Sequence, residues 1–118
     1  MKFRILLVDD ELHWINFAKS DLAKFEIVVA PDCETALKEL ERNRFDLVIA
    51  SSRRMDVLQV IAEKYSDKKV VVTTMQPTIE EALKAYGMGA LRYFAKSFGQ
   101  SDLFERVQEV IPALAGSG

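Results

Sequence analysis

Three acids in succession, Asp9, Asp10 and Glu11, follow the apolar run that ends at Val8. Carboxylates crowded into a partly desolvated pocket repel one another, so they require a cation or must take up a proton. Lys96, just after the apolar run Leu91–Ala95, can supply one positive charge. A hard divalent ion such as Mg²⁺, which binds through one or two carboxylates plus waters and phosphate oxygens, can supply more. Thr74 closes a further apolar run and adds a hydroxyl. Together with the Lys96 ammonium it has the donors to hold a phosphoryl group. Phe45–Asp56 (FDLVIASSRRMD) breaks this pattern. Its apolar core delivers Ser51 and Ser52 where a carboxylate would complete the acidic set, and Arg53 and Arg54 follow at once.

These residues matter only if the chain brings them together, and the apolar runs show how it can. Arg4–Val8, Ile27–Ala30, Leu47–Ala50, Val70–Thr74 and Leu91–Ala95 are short and rich in Val, Ile and Leu. Continuous rather than alternating apolar runs suit strands of a parallel sheet buried on both faces. Helical spacing fills the intervals. Glu11–Lys24 sets Trp14, Phe17, Ala18 and Leu22 on one face, Asp32–Arg42 does so with Ala36, Leu37 and Leu40, and Asp56–Tyr65 with Val57, Val60 and Ile61. Asp32 is placed to cap the second helix and Asp56 the third. The fourth opens on Pro77 with a capping box, Thr78 and Glu81, and Gly87 is placed as its C′ residue. The last spans about Ser101 to Ile111, with Leu103, Phe104, Val107 and Ile111 inward and Pro112 near its end. Five strand–helix units with short, right-handed connections predict an α/β doubly wound sheet. In such a sheet the site lies beyond the carboxyl ends of the strands, where all the residues named above fall.

Composition narrows the function classes. The chain has 118 residues, enough for one core, so 1–115 is expected to form a single domain, with 116–118 (Gly-Ser-Gly) a tail or linker. A net charge of −2 offers no basic footprint for direct contact with nucleic acid. No apolar run approaches the roughly 20 residues that span a bilayer. Cys33 is the single cysteine, so no internal disulfide can form, and a cytoplasmic location is expected. Its acidic neighbours Asp32 and Glu34 disfavour a reactive thiolate. The single histidine, His13, is read as a surface residue.

The pattern as a whole resembles the receiver domain of two-component response regulators. The resemblance rests on ILLVDDE at Ile5–Glu11, the hydroxyl of Thr74, the aromatic Tyr93, and GMGALRYFAKSF at Gly87–Phe98 with its Lys96. It implies a flavodoxin-like (βα)₅ three-layer sandwich with parallel strand order 2-1-3-4-5. It implies that Asp9 and Asp10 are the acidic pair, with Asp10 the direct metal ligand. Thr74 and Tyr93 then correspond to the switch hydroxyl and aromatic, and Lys96 to the motif lysine. In that family an aspartate ending the third strand accepts a phosphoryl group from a kinase histidine, with Mg²⁺ bound beside it. Here that position is Ser51.

Further departures surround the same pocket. The loop after the third strand is shorter than the family's and lacks its Pro and Gly residues. Met75 stands where a small residue normally leaves access, and Ser97 replaces the proline after the lysine. Serine needs an adjacent general base to act as a nucleophile, and its phosphate ester would not reset unaided. The expectation is a degenerate, pseudo-receiver domain, not an enzyme and without a cofactor beyond weak Mg²⁺ at Asp9 and Asp10. Arg53 or Arg54 is expected to fold back onto Asp9 and Asp10 as a substitute cation. The expected partner is a signalling protein, whether kinase, output domain or another regulator, with a homodimer as the alternative. The face concerned comprises helix four (Thr78–Tyr86), Arg92, Tyr93 and helix five, with Lys84, Glu105 and Arg106 as its polar members. Two rivals remain at this level: a receiver phosphorylated on Asp56 or Ser51, and a small-molecule or flavin binder on the same fold. The acidic run after strand one disfavours the second, because it would repel a flavin phosphate.

Overall fold

The computed structural model describes residues 3–65 and 67–115; the tail expected at Gly116–Gly118 lies outside the described residues. Five strands, β1 (Arg4–Val8), β2 (Glu26–Ala30), β3 (Leu47–Ser51), β4 (Val70–Thr74) and β5 (Arg92–Ala95), alternate with five helices. These are α1 (Leu12–Asp21), α2 (Cys33–Arg42), α3 (Asp56–Lys64), α4 (Ile79–Gly87) and α5 (Asp102–Ala115). A short 3₁₀ turn, Ser52–Arg54, joins β3 to α3. The strands form one parallel sheet in the order β2-β1-β3-β4-β5, the flavodoxin-like arrangement expected from the sequence.

Side chains alternate across this sheet, so each strand feeds two cores. Leu6, Val8, Val48, Ala50, Val70 and Val72 pack with Ala36, Leu40, Val57, Leu58, Ile61 and Ala85, on the α2–α3–α4 side. Ile5, Leu7, Leu47, Ile49, Val71 and Phe94 pack with Trp14, Ala18, Leu22, Leu103 and Val107, on the α1–α5 side. In α3 the buried residues are Val57, Leu58 and Ile61, and the expected Val60 is only half-buried. Leu58 takes its place because helix and sheet meet over adjacent positions, not over a single stripe.

Local chemistry sets most boundaries. Asp32 caps α2 by accepting from the Thr35 amide at 2.8 Å. That bond, first among its causes, holds the Asp32 carboxyl below its ordinary range. A depressed folded-state pKa stabilises the fold above the unfolded value, near pH 4, and the contribution is lost as pH falls through the folded value. The difference in urea midpoint between the parent and Asp32→Ala is therefore expected to be full at pH 7 and to narrow at pH 3. An unchanged gap would show that the cap is not ionic.

Several boundaries differ from the sequence reading, the helix ends most clearly. α4 includes Gly87, and the left-handed residue after it is Gly89, at φ 99°. The Met88 and Gly89 amides reach back to the last turn, so the chain stays helical past Gly87 before it reverses. Asp56 is the first residue of α3, not its cap, because the helix continues directly from the 3₁₀ turn through Met55. α1 begins at Leu12, where Glu11 is an N-cap without a side-chain bond. α5 runs past Pro112 to Ala115, since a proline's φ is helical and its cost is confined mainly to one lost bond and one crowded carbonyl. At its other end α5 is held by α1: the Asp21 carboxylate accepts from the Ser101 and Phe104 amides at 2.7 and 2.9 Å.

Candidate functional site

Register decides what meets at the carboxyl edge of the sheet. Val8 lies beside Ala50 and Ser51 beside Thr73, so Asp9 and Ser51 emerge next to each other on the α1–α5 side. Thr74 lies beside Ala95, which places Lys96 one step further out on the same side as Asp9. Lys96 reaches across the strand ends: its Nζ is 2.9 Å from Asp9 Oδ2 and 2.8 Å from Glu11 Oε1. The Lys96 and Asp9 side chains are 2% and 0% exposed, and the Trp14 ring lies 5.7 Å from the ammonium. Asp9 Oδ1 accepts from the Glu11 amide at 2.9 Å, which fixes the carboxylate toward the lysine. The Glu11 carboxylate, the third of the acidic run, thus shares the charge of Lys96 with Asp9.

Asp10 is held from the other side. Arg53 Nη2 donates to Asp10 Oδ1 at 2.8 Å and Arg54 Nη2 donates to Asp10 Oδ2 at 2.9 Å. Arg53 or Arg54 was expected to fold back onto Asp9 and Asp10, and both reach Asp10. Both arginines divide a single carboxylate, and Asp9 belongs to Lys96. The reason is alternation: Asp9 points to the α1–α5 side, whereas Asp10 leaves the strand toward the Ser52–Arg54 turn. The two arginines differ in anchorage. Arg54, half-buried, also donates through Nε to the Pro31 carbonyl at 3.2 Å, while Arg53 is 66% exposed.

Ser51 is 2% exposed, and its hydroxyl accepts from the Arg53 amide at 3.2 Å, capping the turn. The strand-three end therefore presents a hydroxyl already used by its own backbone. Mg²⁺ fits this donor set poorly: both Asp10 oxygens face guanidinium groups, Asp9 faces an ammonium, and the neighbouring position is a serine. No group of three or more His, Cys, Asp or Glu side chains is arranged to hold a metal ion among the described residues.

The switch-type residues lie on the other side of the sheet. Thr74 Oγ1 accepts from Ser52 Oγ at 3.2 Å and from the Gln76 amide at 3.3 Å. The Tyr93 hydroxyl donates to Glu81 Oε1 at 2.6 Å and accepts from the Thr78 amide at 3.1 Å. Half of the expected capping box is present, since Thr78 Oγ1 accepts from the Glu81 amide. In the other half the tyrosine hydroxyl stands between the Glu81 carboxylate and the Thr78 amide it would otherwise reach. Desolvation, then donation to Glu81, pushes the Tyr93 phenol above its ordinary range.

Between these groups opens a cavity of about 520 Å³, lined by Glu11, Ser51, Ser52, Arg53, Thr74 and Met75 among others. Met75 was expected to block access. It is 57% exposed and lines this cavity, because β4 ends at Thr74 and the next residue already belongs to the loop. Asp56 is exposed at the start of α3, beside Cys33 rather than in the pocket. Burial, followed by that carboxylate, pushes the Cys33 thiol up, away from reactivity. His13 is exposed and meets Phe98 edge-on at 5.3 Å. Ser52, Glu81 and the Pro31 carbonyl were not anticipated in these contacts, and no local sequence signal marks them, since each partner lies on a different strand–helix unit.

No helix among the described residues is long and apolar enough to cross a membrane. The model of the response regulator receiver domain family matches residues 5–108. A comparison with curated proteins gives no match. Among solved structures, a response regulator from Thermotoga maritima is 25% identical, with a TM-score of 0.86 over 94% of this chain and 98% of that one. A CheY-like receiver domain protein from Methanospirillum hungatei is 21% identical, with a TM-score of 0.89 and full coverage of both chains. NtrX from Brucella abortus is 23% identical, with a TM-score of 0.89; the match covers 99% of this chain and 28% of that longer one.

Proposed function

The chain belongs to the response regulator receiver domain family, and from that premise we propose that it is a pseudo-receiver: a signalling interaction module that performs no phosphotransfer of its own. The observation that carries this reading is the pairing of Arg53 and Arg54 with the two oxygens of Asp10, beside a Ser51 whose hydroxyl caps the following turn. A phosphorylatable site needs an ionised nucleophile and a cation-hungry acidic cluster. Here the nucleophile is a buried serine, and three carboxylates already face three basic side chains. The arginine pairs are partly exposed, and each contributes at most about 1 kcal/mol. Their weight is local, in occupying the lone pairs that a metal would need.

Partners of receiver domains include kinases and output domains, and the surface for a signalling partner here comprises α4, Arg92 and Tyr93 on β5, and α5. α4 buries little beyond Ala85 and leaves Ile79, Leu83 and Tyr86 80%, 69% and 48% exposed at helical spacing. An apolar stripe of this kind on a polar helix suits a protein partner. The direct test is incubation with acetyl phosphate and Mg²⁺ followed by intact mass. The mass is expected to stay unchanged; a gain of one phosphoryl group, labile if on Asp56 and stable if on Ser51, would overturn the reading.

A further inference from the structure

Ser97 follows Lys96 directly, in the place of the family's proline. Its hydroxyl donates to Asp102 Oδ2, on the first residue of α5, and accepts from the Gly99 amide at 3.5 Å. From this we infer that Ser97 and Asp102 staple the base of the β5–α5 loop, and that the staple positions Lys96 between Asp9 and Glu11. The inference goes beyond the reading above and holds whether or not a phosphoryl group is ever accepted.

A lysine ammonium rides on a flexible four-carbon stem, so where it stops depends on how the backbone beneath it is held. Before this residue the strand does so, since the Lys96 amide donates to the Thr74 carbonyl at 2.7 Å. After it comes an exposed loop, Ser97–Gln100, whose large apolar member, Phe98, meets Trp14 edge-on at 5.3 Å. Exposed segments with few buried contacts open locally at low cost, so directional bonds decide the shape of this loop. The bond from Ser97 to a carboxylate is of the stronger, charge-assisted kind. Its far end is also fixed. Asp21 accepts from the Ser101 and Phe104 amides, and Leu103 is buried in the core, so α5 begins at a set position. The chain between lets the two side chains meet: the Asp102 amide closes on the Gly99 carbonyl at 3.0 Å, and Ser101 adopts a left-handed φ of 69°. Gly99 is part of the same fit, because a Cβ there would overlap the Asp102 carboxylate. A proline restricts the chain through its ring; here serine does so through its hydroxyl.

The test reads the Lys96 ammonium by ¹⁵N-edited NMR in the cold, assigned through its own side-chain carbons. Held between two carboxylates and 2% exposed, its protons are expected to exchange slowly enough to give a signal in the parent. Ser97→Ala is expected to speed that exchange about tenfold or more, the scale of one bond to a charged group. Ser97→Thr, which keeps the hydroxyl, is expected to behave as the parent. Gly99→Ala displaces the Asp102 carboxylate and leaves Ser97 in place. It is expected to reproduce the Ser97→Ala result, and it carries the test if that variant fails to fold. The buried backbone amides of Leu6 and Ile49 are expected to keep their parent exchange rates throughout, since the opening is local. No Lys96 signal in the parent, parent-like exchange in the folded variants, or an acceleration shared by those core amides would overturn the staple.

Discussion

Lys96→Met is expected to lower the unfolding free energy by about 3–5 kcal/mol, the cost typical of removing one partner from a buried ion pair. Lys96 and Asp9 are almost wholly excluded from solvent, and the lysine also faces Glu11. With the ammonium gone, Glu11 can turn outward, since its side chain is partly exposed, but the buried Asp9 carboxyl is left without its cation. Methionine fills a similar volume against Trp14, so the loss reports charge more than cavity. Urea unfolding of the parent, Lys96→Met, Asp9→Asn and the double variant completes the test. The two single losses should not add, because the double variant removes both members of one pair. Additive losses would mean that Lys96 acts by packing alone.

Ser51→Asp rebuilds the missing carboxylate and is expected to destabilise the domain by roughly 3 kcal/mol in metal-free buffer. The substituted carboxylate would enter a 2% exposed position next to Asp9, whose lysine is already shared with Glu11. It would also disturb the cap that Ser51 gives to the Arg53 amide. Acetyl phosphate with Mg²⁺ is expected to leave the variant unmodified, because Arg53 and Arg54 still occupy Asp10. Adding Arg53→Ala and Arg54→Ala frees that carboxylate, and Mg²⁺ should then stabilise the triple variant by mass action, with little effect on the parent. Thermal unfolding with and without Mg²⁺ gives the comparison. A parent stabilised by low-millimolar Mg²⁺, or a Ser51→Asp variant that takes up a labile phosphoryl group, would show that the arginines do not govern the site.

The site was legible in outline because strand ends are legible. Asp9, Ser51 and Thr74 follow or close runs rich in Val, Ile and Leu, Lys96 follows a short apolar and aromatic stretch, and a parallel sheet must bring those ends to one edge. Individual pairings were not. Asp9 and Asp10 are neighbours in sequence yet have different cations, since successive residues leave a strand on opposite sides. Thr78 and Glu81 read as a closed capping box, but Tyr93, from a strand twelve residues after Glu81, enters it. The exposure of Met75 likewise depends on where β4 stops and the loop begins.

By itself, then, the sequence determined the five strand–helix units, the doubly wound sheet, and a pocket that lacks the strand-three carboxylate. Those follow from short-range periodicity and from side-chain type, which the chain carries in every context. Only the tertiary structure decided that Arg53 and Arg54 converge on Asp10, that Lys96 bridges Asp9 and Glu11, and that Ser52 holds Thr74. Those contacts join residues from different strand–helix units, and their partners are selected by register and by the direction in which each side chain leaves its strand.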